Sequence, residues 1–186
     1  MSIYIPLGIV VSILLWAALN YNLLVRVRQQ VRESWSGIDT ELKRRYDLIP
    51  NLVATVKGYA AHEKQVLESV TEARLKALSS QGSPGSQAAD EKQLVDSMRR
   101  LLAVAENYPD LKASDNYLAL QLELANTEDR IQAARRFYNG NVRDLNTRVE
   151  VFPSNMIASL FGFAAAEYFE VDSSVVREVV DISFPQ

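Results

Sequence analysis

Leu42-Lys43-Arg44-Arg45-Tyr46-Asp47-Leu48-Ile49-Pro50-Asn51-Leu52-Val53 is the stretch on which the fold turns. It lies inside a long helical repeat, is dense in charge, and carries a proline near its end. On either side, apolar residues recur at three- and four-residue steps, as in Leu24, Val31, Trp35, Ile38, Leu42, Tyr46, Ile49, Val53, Val56, Ala60, Leu67, Val70 and Ala77. That spacing lines one face of an α-helix. The repeat keeps its phase across Pro50, which fits a single kinked helix. Against this, Lys43, Arg44 and Arg45 suit a helix C-terminus, Asp47 suits an N-cap, and the proline pushes Ile49 away from the α region. A turn at Pro50 yields helices of comparable length that pack as an antiparallel up-down four-helix bundle. A continuous helix leaves the Trp35 face without a partner in the chain. The expectation is a turn, with the kinked helix as the alternative.

Upstream, residues 1–25 carry no charged side chain. Residues 3–19 are almost wholly apolar, and as a helix they span about 26 Å, close to the ~30 Å hydrocarbon core of a bilayer. Continuing to Val25 completes a crossing and sets Tyr21 at the interface. A cleaved secretory signal is the competing reading. It requires a basic leader and a small-residue cleavage site; no Lys or Arg precedes the run, and Trp16-Ala17-Ala18-Leu19-Asn20 is a poor site. An uncleaved single-pass anchor is expected. Arg26, Arg28 and Arg32 follow it at once, so the positive-inside rule puts the rest of the chain in the cytoplasm. The same arginines face anionic head groups, diluted by Glu33, Asp39 and Glu41.

Downstream, residues 79–86 (Ser-Ser-Gln-Gly-Ser-Pro-Gly-Ser) read as a loop. A helix from about Ala88 to Asn107 carries Leu94, Met98, Leu101, Leu102 and Ala105. Tyr108-Pro109-Asp110 ends it, and Ser114 or Asp115 opens a long helix to about Val149. The organisation is an anchor (1–25), a helical bundle (26–150), an apolar segment (151–170) and an extended tail (171–186). Asn155-Met156-Ile157-Ala158-Ser159-Leu160-Phe161-Gly162-Phe163 returns toward the bilayer in the bundle. It suits either an interfacial helix or packing onto the open end of the bundle.

Composition excludes several function classes. A net charge of −3 supplies no global field for nucleic acid, so no nucleic-acid partner is expected. The absence of cysteine removes disulfides, thiolate catalysis and cysteine metal sites. His62 is the only histidine. A di-metal carboxylate bundle needs two Glu-x-x-His pairs, and Tyr59 stands where the first residue of such a pair belongs. A zinc-protease motif needs histidine where Val66 stands. No nucleophile elbow or phosphate-binding glycine loop is present. The reading is therefore non-enzymatic, with no cofactor and no metal.

Two apolar stripes contain charges. Glu63 and Arg74 interrupt one, and Glu128 and Arg135 the other. Inward charges must pair, because leaving one alone in a core costs several kcal/mol. These four residues are read as an internal salt-bridge layer, with snorkelling at the stripe edges and a functional carboxylate site as weaker alternatives. The candidate interaction surface is Trp35, the Lys43-Arg44-Arg45 run, and Ile157, Leu160 and Phe161. Charge runs are more often a solvated face than a binding site.

Spaced motifs along most of the chain carry a resemblance. They are Tyr21-Asn22; Trp35-Ser36 with Ile38-Asp39; the block from Leu42 on to Glu63; Tyr108-Pro109-Asp110-Leu111-Lys112-Ala113; Thr127-Glu128-Asp129-Arg130-Ile131; Ala134-Arg135; Tyr138-Asn139; Phe152-Pro153; and Phe161-Gly162-Phe163. In this order they resemble the LemA family of bacterial membrane proteins. The resemblance implies a membrane anchor and a soluble four-helix bundle, and brings no catalytic residues with it. It implies a scaffold or interaction protein in the bacterial inner membrane, or an accessory subunit of a membrane enzyme such as a protease; a cryptic hydrolase is the remote alternative. Expected partners are membrane lipid and either a second copy or another membrane protein. Some relatives look like lipoproteins, a branch from which this cysteine-free chain departs.

Overall fold

A computed structural model describes residues 4–171. The fold is all-α, with no strand among the described residues. Its elements are α1 (Tyr4–Tyr59), α2 (Lys64–Ser79), α3 (Pro84–Ala105), α4 (Pro109–Lys112), α5 (Asp115–Glu150) and α6 (Ser154–Leu160). α1, α2, α3 and α5 alternate in direction and make the four-helix bundle. α5 lies along α1, and α2 pairs with α3. The assignment of 171–186 as an extended tail falls outside the described residues from 172 onward.

The expected turn at Pro50 does not occur. α1 is one helix of 56 residues that runs through Pro50, and its turn comes at residues 60–63. Two things hold the proline in a helix. The pyrrolidine ring faces solvent, since Pro50 is exposed. The buried stripe also runs unbroken past it, through Leu42, Arg45, Ile49, Leu52 and Val56. Breaking the helix there would pull that stripe from α5 and the rest of the core. The Trp35 face, which a continuous helix was expected to leave bare, is covered by Tyr138 of α5 and by Phe169 of the segment after α6.

The stripe has a strict repeat. Leu24, Val31, Ile38, Arg45 and Leu52 follow every seventh residue in α1, as do Tyr117, Leu124, Ile131, Tyr138 and Leu145 in α5. A seven-residue repeat is the seam of a coiled coil. The apolar spacing alone puts Tyr46 and Val53 on this face, one step away from Arg45 and Leu52.

Residues 4–16 of α1 are exposed all round, and the stripe begins only near Leu24. This apolar end is long and apolar enough to cross a membrane. It continues into the bundle without a joint. The loop after α2 is shorter than expected, because Pro84 opens α3 from inside it, a favoured place for proline.

Past α5, α6 packs back on α1. Ile157, Ala158 and Phe163 are buried with Leu24. Gly162 follows with φ +69°, a left-handed conformation in which a side chain is strained, and the chain reverses there. Residues 164–171 then run as an extended strap along α5. Asn146 grips both polar atoms of the Ala166 backbone (2.8 and 3.0 Å), and Asn139 does the same for Phe169 (2.9 and 3.1 Å). Seven helical residues rise about 10.5 Å and three extended residues about 10 Å, so the two grips fall in register. Phe169 is fully buried, edge-on to Trp35 at 5.4 Å.

Candidate functional site

The polar centre of the bundle is built on α1. Position 45 falls on the heptad seam, so the α1 backbone aims the Arg45 side chain inward, where it is 3% exposed. α3 contributes Glu91, also buried, and α5 contributes Glu128 at the edge. Arg45 donates to Glu91 and to Glu128, the latter at 2.9 Å. The Tyr46 hydroxyl donates to the other Glu91 oxygen. Three helices are thus tied through one guanidinium. Burial pulls the Arg45 guanidinium below its ordinary value, while Glu128 opposes that shift. Burial pushes the Tyr46 phenol up to about 12. A neutral tyrosine and a doubly paired arginine are structural partners for a carboxylate. Neither is a general base near neutral pH.

The four charges expected to form one layer are distributed differently. Glu128 is in the network just described. Arg74, on α2, donates from Nε to the Tyr46 backbone carbonyl at 2.6 Å. Arg135 is half-buried and donates to the Val171 carbonyl at 3.3 Å, helping to hold the strap. Glu63 sits half-buried in the turn before α2, with the Tyr108 hydroxyl 3.4 Å away. None of these last three faces a carboxylate or guanidinium of the expected set.

The expected interaction surface is also divided. Lys43 pairs with Asp39 on its own helix at 2.7 Å, and Arg44 bridges to Glu123 on α5. Arg45 is in the core and offers nothing to a partner. Trp35 is half-buried between Tyr138 and Phe169. Ile157 is buried against α1, whereas Leu160 and Phe161 are exposed.

Sequence reading missed Glu91 and the burial of Arg45. The available signal was the seven-residue repeat, which includes Arg45 and demands a buried carboxylate on another helix. It also missed a set of exposed apolar side chains on α5. Leu118, Leu122 and Phe137 are 48%, 64% and 66% exposed, and helical spacing puts Asn126 and Ala133 on the same side, together with the charged Asp129 and Arg136. These residues lie off the buried stripe and carry no periodic signal of their own.

A groove of about 320 Å³ lies beside the network, between α3 and α5, walled by Val95, Met98, Leu102 and Leu124. Among the described residues no group of His, Asp or Glu is placed to hold a metal ion.

Comparison with known proteins places the chain. The LemA family model matches residues 34–184. Magnetosome protein MamQ 2 of Paramagnetospirillum magneticum is 27% identical over 186 aligned positions, covering 87% of this chain and 68% of that protein. Protein LemA of Metamycoplasma hominis is 30% identical over 165 positions, covering 84% of this chain and 75% of that protein. Magnetosome protein MamQ of Magnetospirillum gryphiswaldense is 25% identical over 176 positions, covering 81% and 65%. With most of its length matched, and with an apolar helix leading into a helical bundle, the chain belongs to the LemA family.

Proposed function

We infer that this protein is a non-enzymatic, membrane-anchored scaffold that engages another protein through the outer face of α5. The observation that carries this reading is the exposure of Leu118 and Leu122, one turn apart on α5, with Phe137 also exposed about 22 Å further along. Large apolar side chains grouped on a surface mark contact sites. α1 joins the anchor to the bundle as one rigid helix, so this face stands at a fixed height beside any neighbour in the same bilayer. Confinement to two dimensions raises the effective concentration, which lets weak contacts matter. The partner is a second copy or another membrane protein. Where that protein is a membrane enzyme such as a protease, the chain serves as its accessory subunit.

The test uses the full chain in lipid nanodiscs with a photo-crosslinking residue at Leu122. A crosslink expected at that position should vanish in Leu118→Asp/Phe137→Asp, with the helical signal intact. Light scattering then separates self-association from a different partner. A strictly monomeric protein with no crosslink from α5 would overturn the reading.

A further inference from the structure

We propose that the corner made by the end of α5 and by α6 is seated in the interface of the bilayer that α1 crosses. The chain then has two membrane contacts, one spanning and one lying at the surface. The proposal rests on α1 being the anchor.

Depth comes from packing. Ile157 and Ala158 of α6 are buried on Leu24, with Ala17 and Val25 packed on the same cluster. Tyr21 meets Phe161 at 4.8 Å and Phe163 at 5.8 Å. A crossing takes about 20 residues from the start of the helix, so residues 17–24 lie where hydrocarbon gives way to head groups. α6 is clamped beside those residues and is therefore at their depth. The rigidity of α1 leaves the corner no independent position.

Chemistry agrees with that depth. Residues 151–166 contain no charged side chain. Within them Phe152, Met156 and Leu160 are 74%, 61% and 75% exposed, and Val151 and Phe161 are also open. In water such a patch would be a liability. At the acyl–glycerol boundary it is solvated, and burying its methylenes there is favourable. Charge returns at its edges: the exposed Glu150 directly precedes Val151, Arg26 is exposed just beyond the span, and the Arg28 guanidinium lies over the Phe163 ring at 4.6 Å. Tyr21 and Phe161 form the aromatic girdle expected at this level. The occupant is lipid: the patch is continuous with the lipid-facing part of α1 and carries no polar pattern that would select a peptide.

The cysteine-free chain permits single-site probes. Leu160→Cys, Leu14→Cys and Gln81→Cys are each labelled with an environment-sensitive fluorophore in the full protein, in nanodiscs of zwitterionic and anionic phospholipid. Brominated acyl chains and aqueous iodide are the quenchers. The expected result is strong lipid quenching at Leu14 and at Leu160. Leu160 should respond best to bromines near the glycerol, and iodide should quench only Gln81. Iodide quenching at Leu160, with lipid quenching retained at Leu14, overturns the proposal and leaves the anchor intact. Protection of Leu160 from both quenchers shows a protein cover and also overturns it. Loss of lipid quenching at Leu14 removes the anchor itself, and the proposal falls with it.

Discussion

Arg74 Nε donates to the Tyr46 carbonyl at 2.6 Å, and that carbonyl is the one Pro50 leaves without its helical partner. Proline has no N–H for the residue four positions back. The side chain comes from α2, 28 residues away in sequence, and fills the gap. A proline that would otherwise end a helix is thereby accommodated inside α1. The turn expected at Pro50 is replaced by one at residues 60–63, and the anchor and the first bundle helix become a single rod.

Arg74→Met should therefore destabilise the bundle by about 1 kcal/mol, the lower end of the range for leaving an acceptor unsatisfied, since this one is part-buried. Pro50→Ala restores the missing N–H and should be stabilising. In the Pro50→Ala background the same Arg74→Met change should cost markedly less. Denaturant unfolding of the four proteins closes the cycle. Equal costs in both backgrounds would show that Arg74 and Pro50 are independent.

Glu91→Ala should cost about 3–5 kcal/mol, because it leaves Arg45 buried with only the partly exposed Glu128. Glu123→Ala, which removes the solvent-exposed pair to Arg44, should cost no more than about 1 kcal/mol. The double change Arg45→Met/Glu91→Leu should recover most of the loss while removing a polar seam position that helps specify register. Thermal melts rank the variants, and a double mutant as weak as Glu91→Ala alone would contradict the assignment.

Burial raises the Tyr46 phenol to about 12 in the folded protein, against about 10 for an unperturbed tyrosine. The neutral form is the one favoured by folding. Its contribution is fully present below pH ~10 and is lost as pH rises from there through about 12. Stability should thus fall across that alkaline window, and Tyr46→Phe should flatten part of the slope. Tyr108, Tyr117 and Tyr138, also raised by burial, contribute to the remainder. An unchanged slope in Tyr46→Phe would place the phenol in solvent.

Arg26, Arg28 and Arg32 directly follow the apolar end of α1. On the positive-inside argument, Gln81→Cys in the loop between α2 and α3 should resist an impermeant maleimide in intact cells and label after lysis. Ready labelling of intact cells would place the bundle on the opposite side.

The sequence by itself determined the helical class, the apolar N-terminal helix, the breaks near residues 80 and 108, and the opening of α5 at Ser114 or Asp115. These follow from local quantities: periodicity, proline and serine placement, and absence of charge. Tertiary structure decided the fate of Pro50, because the donor to Tyr46 comes from another helix and no local rule contains it. It decided Arg45 as well. Arg45 and Tyr46 both turn inward, and only the buried carboxylate of Glu91, which accepts from each, makes the buried guanidinium stable. Arg135 reads as a core charge in sequence, yet it serves a backbone carbonyl of the strap. Helical periodicity reports which residues share a face; what a polar side chain on that face meets is set by the surfaces brought against it.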